Sequence, residues 1–228
     1  MPSTPEPTAA FFDVDGTLLD TNIVHFYVRY RTAEMTSTRR MVWKLGFLRR
    51  VPALWFVDKI NRAAFNRLFY LMYQGMDAEA VRRLATESFE SFALPRLFPG
   101  ARDAVEAHRS RGDRIVLVSG STDFVVAPLA EHLRADETFT VSLEERDGVF
   151  TGNLVGEPLS DVRKAEAVRA YAATHGINLS GCYAYGDSVA DAPMLEVVGN
   201  PVAVNPSRRL WRLARERGWR IERWRPRS

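Results

Sequence analysis

The sequence predicts an α/β domain with a mainly parallel sheet, interrupted by an all-helical insertion. Three observations carry that reading. The short apolar runs Ala9 to Val14, Arg114 to Ser119 and Gly181 to Tyr185 each end at polar residues and turn formers, the pattern of buried strands. From Pro99-Gly100 onward such runs alternate with helical stretches, which builds a parallel sheet. Between about Asn22 and Phe92 apolar and aromatic residues recur at helical spacing, as in Val24, Tyr27, Val28 and in Phe65, Leu68, Phe69, Met72, and no strand pattern interrupts them.

Taken in order, residues 1 to 8 are polar and proline-rich and read as a disordered leader. Ala9 to Val14 is too short for a solitary helix and reads as a buried strand. In the helical block Gly46, Pro52 and Gly75 read as breaks, and Asp77 as the cap of a helix starting at Ala78. Ala101 to Arg111 is a helix closed by Gly112. Arg114 to Ser119 is a β-branched strand, with Gly120-Ser121 as its turn and a helix over Asp123 to His132. Thr138 to Leu143 is a strand joined to Val149 to Val155 through the hairpin signal Asp147-Gly148. Lys164 to His175 is a helix ended by Gly176. Gly181 to Tyr185, a short helix near Asp191 and a last strand, Pro201 to Val204, complete the alternation. The expected organisation is a core over 9–21 and 96–205, a helical insertion over 22–95 and a basic C-terminal extension over 206–228.

A length of 228 residues suffices for one large domain or for a core with an insertion. The lone cysteine, Cys182, excludes an intrachain disulfide, and its strand context marks it as buried and inert. The N-terminus lacks the basic start and apolar centre of a signal peptide, and no apolar run approaches the ~20 residues of a membrane span. The expectation is a cytoplasmic protein, with peripheral contact at the inner membrane face left open.

The chemistry concentrates at strand ends. Asp13 and Asp15 close the first strand, followed at once by Gly16 and Thr17. Two residues apart on a regular strand, the two carboxylates point the same way, which is costly unless a cation sits between them. An Asp-Gly turn explains Asp15 but not a second acid one step inside an apolar strand. Ser119, Asp187 and Asp191 stand at later strand ends, and Lys164 opens a helix. Singly, Ser119 reads as a turn residue, Asp187 as a helix cap and Lys164 as a solvated lysine. Together, a cation-binding carboxylate set, a small hydroxyl and a lysine are what phosphoryl transfer needs.

Four pieces occur in order: Asp13-Val14-Asp15-Gly16-Thr17, Leu117-Val118-Ser119-Gly120-Ser121, Arg163-Lys164-Ala165 and Gly186-Asp187-Ser188-Val189-Ala190-Asp191. In spacing and identity this set resembles the haloacid dehalogenase-type phosphatase superfamily, over roughly residues 9 to 205. The helical insertion, and the segment Asp147 to Leu159, are similar to its phosphoserine phosphatase-like branch. The resemblance implies a Rossmann-like three-layer core with a helical cap. It implies Asp13 as the nucleophile that forms an aspartyl-phosphate, and Asp15 as the acid and then the base. It implies Mg²⁺ held by Asp13, the main-chain carbonyl of Asp15 and Asp187, with Asp191 in support. Ser119, Gly120 and Lys164 would bind the phosphoryl oxygens, and Thr17 would set the loop and contact phosphate. One position departs. Phosphoserine phosphatases carry a glutamate shortly after the first motif that helps bind the substrate amine; the matching residue here is Asn22, with Asp20 the nearest acid.

From Arg29 to Arg67 ten basic residues face only Glu34 and Asp58, and Trp43, Phe47, Trp55, Phe56 and Phe65 are interleaved. The plain reading is a cap with an aromatic core and a solvated basic face. The sharper one is a surface for an anionic or amphiphilic substrate, or for an anionic membrane. The tail from Arg208 to Arg227 has nine arginines with Trp211, Trp219 and Trp224, and reads as a terminal helix and strand or as a contact with lipid. No nucleic-acid fold signature is present, so a nucleic-acid partner is not expected. His25, His108, His132 and His175 lack ligand spacing and read as structural. The expected function is Mg²⁺-dependent hydrolysis of a small organic phosphate, phosphoserine-like or another metabolite. The alternatives are a lysophospholipid-type phosphate at a membrane surface, transfer to an alcohol acceptor, and a non-catalytic phosphate-binding protein. Oligomeric state is not readable from the sequence.

Overall fold

The structure is a computed structural model that describes residues 7–225, without the side chains of residues 58 and 59. Most of the expected leader, residues 1 to 6, and the last three residues of the tail lie outside that description. One seven-stranded sheet organises the chain, in the order β4-β3-β2-β1-β5-β6-β7. Strand β1 (Ala9–Phe12) is central. It pairs in parallel with β2 (Arg114–Thr122) on one side and with β5 (Tyr183–Gly186) on the other. Beyond β2, β3 (Glu137–Arg146) is parallel, and β4 (Val149–Val155) returns antiparallel through Asp147 and Gly148, both at positive φ as a tight hairpin turn requires. Beyond β5, β6 (Asn200–Val204) and β7 (Arg220–Glu222) extend the parallel sheet.

The strand period of two assigns the layers. Ala9, Phe11, Val116 and Val118 face one side, with Val168, Tyr171, Met194, Leu210 and Ala214 of α8 (Val162–His175), α9 (Ala192–Glu196) and α10 (Arg208–Arg217). Ala10, Phe12, Ile115 and Leu117 face the other, with Val105 of α6 (Pro99–Arg111) and Phe124 and Leu129 of α7 (Asp123–Leu133). All four residues of β1 are inaccessible to water. Burying Phe11 and Phe12 is worth about 1.5–3 kcal/mol each.

The insertion is helical throughout: α1 (Ile23–Arg31), α2 (Ser37–Leu48), α3 (Val51–Ile60), α4 (Arg62–Tyr70) and α5 (Ala78–Ser88), then short turns of helix to Arg96. Asp77 caps α5 by accepting from the Ala80 N–H. An aromatic cluster of Tyr27, Phe47, Phe69 and Tyr73 holds the helices together and reaches α7 through Tyr73 on Phe124. The insertion is pinned to the core where the Gly75 N–H donates to the Phe150 carbonyl and the Tyr70 hydroxyl to the Gly120 carbonyl.

Four sequence expectations need correction here. Gly46 does not break a helix; it lies inside α2, where open space surrounds it and the helix absorbs its conformational cost. Gly120-Ser121 is not a turn. β2 runs through to Thr122 with a shift of register against β3, which keeps Ser119 and Ser121 near the sheet edge. The strand over 201–204 is not the last. The segment set apart as an extension forms α10 and β7, the terminal helix and strand that one of its two readings expected, and Trp224 packs on Tyr185 and so close to Gly100 that a Cβ there would stand 2.5 Å from the indole. Cys182 is fully buried as expected but lies just before β5, beside the Ala9 N–H.

His108 sits in this core with Nδ1 2.7 Å from Asp113 Oδ2 and Nε2 2.8 Å from the Tyr185 hydroxyl. Burial holds its pKa below the ordinary value of 6.5; Asp113 opposes that shift and Arg111 adds to it. As pH falls through 6.5 the unfolded chain takes up this proton before the folded one, so stability falls. Thermal melts are therefore expected to show a lower midpoint at about pH 5 than at about pH 7, and His108→Gln should flatten that part of the profile.

Candidate active site

The site forms where parallel strands end, at the edge where open α/β sheets place their ligands. The chain leaves β1 at Phe12, so Asp13 and Asp15 lie in the loop that follows rather than on the strand. The Asp13 N–H donates to the Tyr185 carbonyl at 3.0 Å, which carries the pairing one step further. Its carboxylate is buried and held at both oxygens: Lys164 Nζ donates to Oδ1 at 2.6 Å and the Thr17 hydroxyl to Oδ2 at 2.9 Å. The Asp15 carboxylate turns elsewhere. It accepts from Thr21 at 3.0 Å and from the Ser121 hydroxyl. Gly16 makes the reversal possible, since its φ is +84° and a Cβ there would come within 2.6 Å of the Asp187 carboxylate.

The carboxylates that crowd together are therefore not Asp13 and Asp15. They are Asp13, Asp187 and Asp191, with one oxygen of each within 4.8 Å of the others. Asp191 is anchored where a short turn of helix begins, accepting from the Ser188 N–H and hydroxyl, each at 3.0 Å, and from Lys164 at 2.7 Å. Burial alone would raise its pKa, but Lys164 and the Ser188 bonds outweigh it and hold Asp191 below the usual range. Asp13 is pushed up to about 7 by burial, against the pull of Lys164 and with the repulsion of Asp191. Burial and the charges of Asp191 and Asp13 push Asp187 well above the usual carboxylate range. Lys164 is buried, yet Asp13 and Asp191 outweigh that burial and hold its ammonium more firmly than usual. Lys164 donates to two of the three carboxylates and Arg62 acts on Asp187 from the cavity wall; the all-oxygen set of three acids suits a hard divalent cation such as Mg²⁺.

These groups border a cavity of about 340 Å³, whose wall includes Ser119, Gly120, Lys164 and Asp187. The Ser119 oxygen accepts from the Ser121 N–H at 3.0 Å, which leaves its own proton to donate. Thr17 is the exception among the expected phosphate contacts. It is fully buried behind Asp13 and is not part of the cavity wall, so it orients the carboxylate instead. Lys164 is buried rather than solvated, and Asp15 brings its carboxylate to the wall but not to the three-acid cluster. Sequence reasoning missed Thr21 and Ser121 as holders of Asp15. It also missed Arg62 and Asn66, which bring α4 of the insertion to the cavity. Their i, i+4 spacing beside Phe65 and Phe69 was the available signal. Asn22 lies at the wall with its oxygen already used, accepting from the Val24 and His25 N–H groups at the start of α1.

A family profile described as haloacid dehalogenase-like hydrolase matches residues 10–196. The chain belongs to this family. A phosphoserine phosphatase of Mycobacterium tuberculosis is 37% identical over 216 residues, covering 93% of this chain and 70% of that protein. A histidinol-phosphatase of Neisseria meningitidis is 29% identical, covering 93% and 96%. A solved structure of a protein of unknown function from Bordetella pertussis Tohama I superposes with a TM-score of 0.78 at 26% identity, covering 95% of this chain and 98% of that one. The enzyme class supported by the family and its relatives is phosphoric monoester hydrolase.

Proposed function

We propose that this hydrolase cleaves a small organic phosphomonoester in two steps through Asp13. The observation that carries the reading is the division of labour between two carboxylates. Asp13 is held at the cavity by Lys164 and Thr17, while Asp15 is held apart from it by Thr21 and Ser121. In the first step an Asp13 oxygen attacks phosphorus, the bond from phosphorus to the ester oxygen breaks, and Asp15 gives its proton to the departing alcohol. In the second, Asp15 takes a proton from water, the water oxygen attacks phosphorus, and the bond to Asp13 breaks to release inorganic phosphate. Lys164, the Ser119 hydroxyl and the Gly120 N–H are the donors for the phosphoryl oxygens. Asp13 and Asp187, with the Asp15 carbonyl and Asp191 in support, would hold Mg²⁺. When bound, the cation offsets the repulsion between an anionic phosphate and an anionic nucleophile.

The test is phosphate release from phosphoserine, histidinol phosphate, sugar phosphates, nucleotides and a lysophosphatidate, with and without Mg²⁺. Release that requires Mg²⁺ is expected; no release from any ester by folded protein overturns the reading. A binding measurement is independent of turnover. Mg²⁺ at a hundredfold excess over its dissociation constant is expected to stabilise the fold by about 2.7 kcal/mol, read as a raised thermal midpoint, and Asp187→Asn should remove that rise.

The insertion supplies Arg62, Asn66, Asn22 and Ile23 to the cavity, and the acids at its wall are Asp13, Asp15, Asp187 and Asp191, all from the core. Among the described residues a substrate ammonium thus meets no carboxylate from the insertion, which favours esters other than phosphoserine. Asn66 is buried, and its side-chain oxygen has no hydrogen-bond partner among the described residues. A substrate hydroxyl or amide N–H would satisfy it. Asn66→Ala is expected to raise KM about tenfold on the best ester with little change in kcat, measured by steady-state kinetics.

A further inference from the structure

Beside the catalytic cavity lies a second one of about 350 Å³, with Ile23, Val51, Leu54, Trp55 and Phe65 as its apolar lining. Asn22, Ile23 and Arg62 border both, so the two cavities are neighbours along one wall. The second cavity also reaches the surface, because Val51 and Trp55 in its lining are 38% and 60% exposed. They belong to an apolar face. Among the described residues eight of the fifteen large apolar side chains exposed to water lie between Met41 and Ile60, including Leu45, Leu48 and Phe56 on α2 and α3. Exposure at that density marks an interaction surface.

Charge selects the occupant. From Met35 to Val57 the sequence holds no acid, and Arg39, Arg40, Lys44, Arg49 and Arg50 flank the apolar residues. A second copy docked face to face would set these cations against their own kind. An anionic bilayer accepts both parts, with the apolar side chains among acyl chains and the cations at the headgroups. No helix of the described residues is long and apolar enough to cross a membrane, so the contact is one of lying on the surface.

We propose that the substrate is a phosphomonoester carrying an apolar chain, drawn from an anionic bilayer on which α2 and α3 rest. Its phosphate would sit at Asp13, Arg62 would stand at the neck, and its chain would follow the second cavity toward Trp55. This rests on the phosphomonoesterase reading above.

Two measurements test it. In the first, kcat/KM is followed along monoalkyl phosphates from ethyl to octyl, below their micelle concentrations. A rise of at least about tenfold is expected, bounded by about fourfold for each methylene fully buried, and Trp55→Ala should flatten it. Efficient hydrolysis with no dependence on chain length overturns this proposal alone, whereas no hydrolysis of any ester overturns the phosphomonoesterase reading with it. In the second, Asp13→Asn protein is sedimented with vesicles of phosphatidylglycerol and phosphatidylcholine, and with phosphatidylcholine alone. Binding only to the anionic vesicles, weakened by salt and lost in Leu45→Asp with an unchanged thermal midpoint, supports the docking surface. Absence of vesicle binding overturns it. So does self-association that Leu45→Asp abolishes, since that gives the face to a second copy.

Discussion

Asp13→Asn is expected to leave a folded protein with about 10⁴-fold less phosphomonoesterase activity, or lower still. The amide matches the carboxylate in shape but lacks the charged oxygen that attacks phosphorus, and no neighbour replaces it. Asp15 is tied to Thr21 and Ser121, and Asp191 to Ser188 and Lys164. Folding should not suffer. Burial pushes Asp13 up to about 7, which shows that its charge is an expense to the folded state, and Lys164 keeps Asp191 as partner when Asp13 is neutral. The thermal midpoint is therefore expected to equal or exceed that of the parent. Phosphate release and a melting curve on one sample check both halves, and retained turnover would remove Asp13 from the mechanism while leaving the fold intact.

Lys164→Met should do the opposite and damage both. The lysine donates to two of the three clustered acids, at 2.6 Å from Asp13 and 2.7 Å from Asp191. Removing one partner from a buried ion pair costs about 3–5 kcal/mol, because the remaining charge keeps its burial and loses its compensation. Activity is expected to fall about 10²–10³-fold, the usual loss when a donor to the developing charge is deleted. Denaturant unfolding measures the first effect. The second is measured at saturating Mg²⁺, which also restores part of the stability if the cation supplies the missing positive charge. Full activity in a protein of unchanged stability would overturn the assignment of Lys164.

Much of this was legible in the sequence for identifiable reasons. An acid pair closing an apolar strand has no structural motive, so Asp13 and Asp15 stand out unaided. Lys164 and Ser119 do not, because a lysine opening a helix and a serine before glycine are commonplace; they gain meaning only as members of a set. What the sequence hides is facing. Arg62 and Asn66 share one face of α4 by their i, i+4 spacing, but which way that face points is set by how α4 docks on the core. For the same reason Trp55 and Phe56 read as an aromatic core while the structure leaves them exposed. The direction of Asp15 was missed because period-two reasoning assumes a strand, and β1 stops at Phe12. Of the tail's two readings the structure realises the terminal helix and strand, but a three-residue edge segment between arginines carries too little alternation to decide it from the sequence.

The central place of β1 in the sheet governs how the chain must fold. The strand nearest the N-terminus has its partners at Arg114 and Tyr183, more than a hundred residues downstream on both sides. Neither pairing rewards the chain until a long loop has been closed, so topology argues for slow folding. During synthesis the apolar segment at Ala9–Phe12 emerges before either partner strand and waits with both edges bare, a condition that invites association with other unpaired strands. The catalytic loop inherits this delay. Asp13 cannot meet Lys164 or Asp191 until β5 has closed the sheet, so competence for chemistry arrives in the final act of folding, and refolding yield should fall with protein concentration well before native stability is challenged.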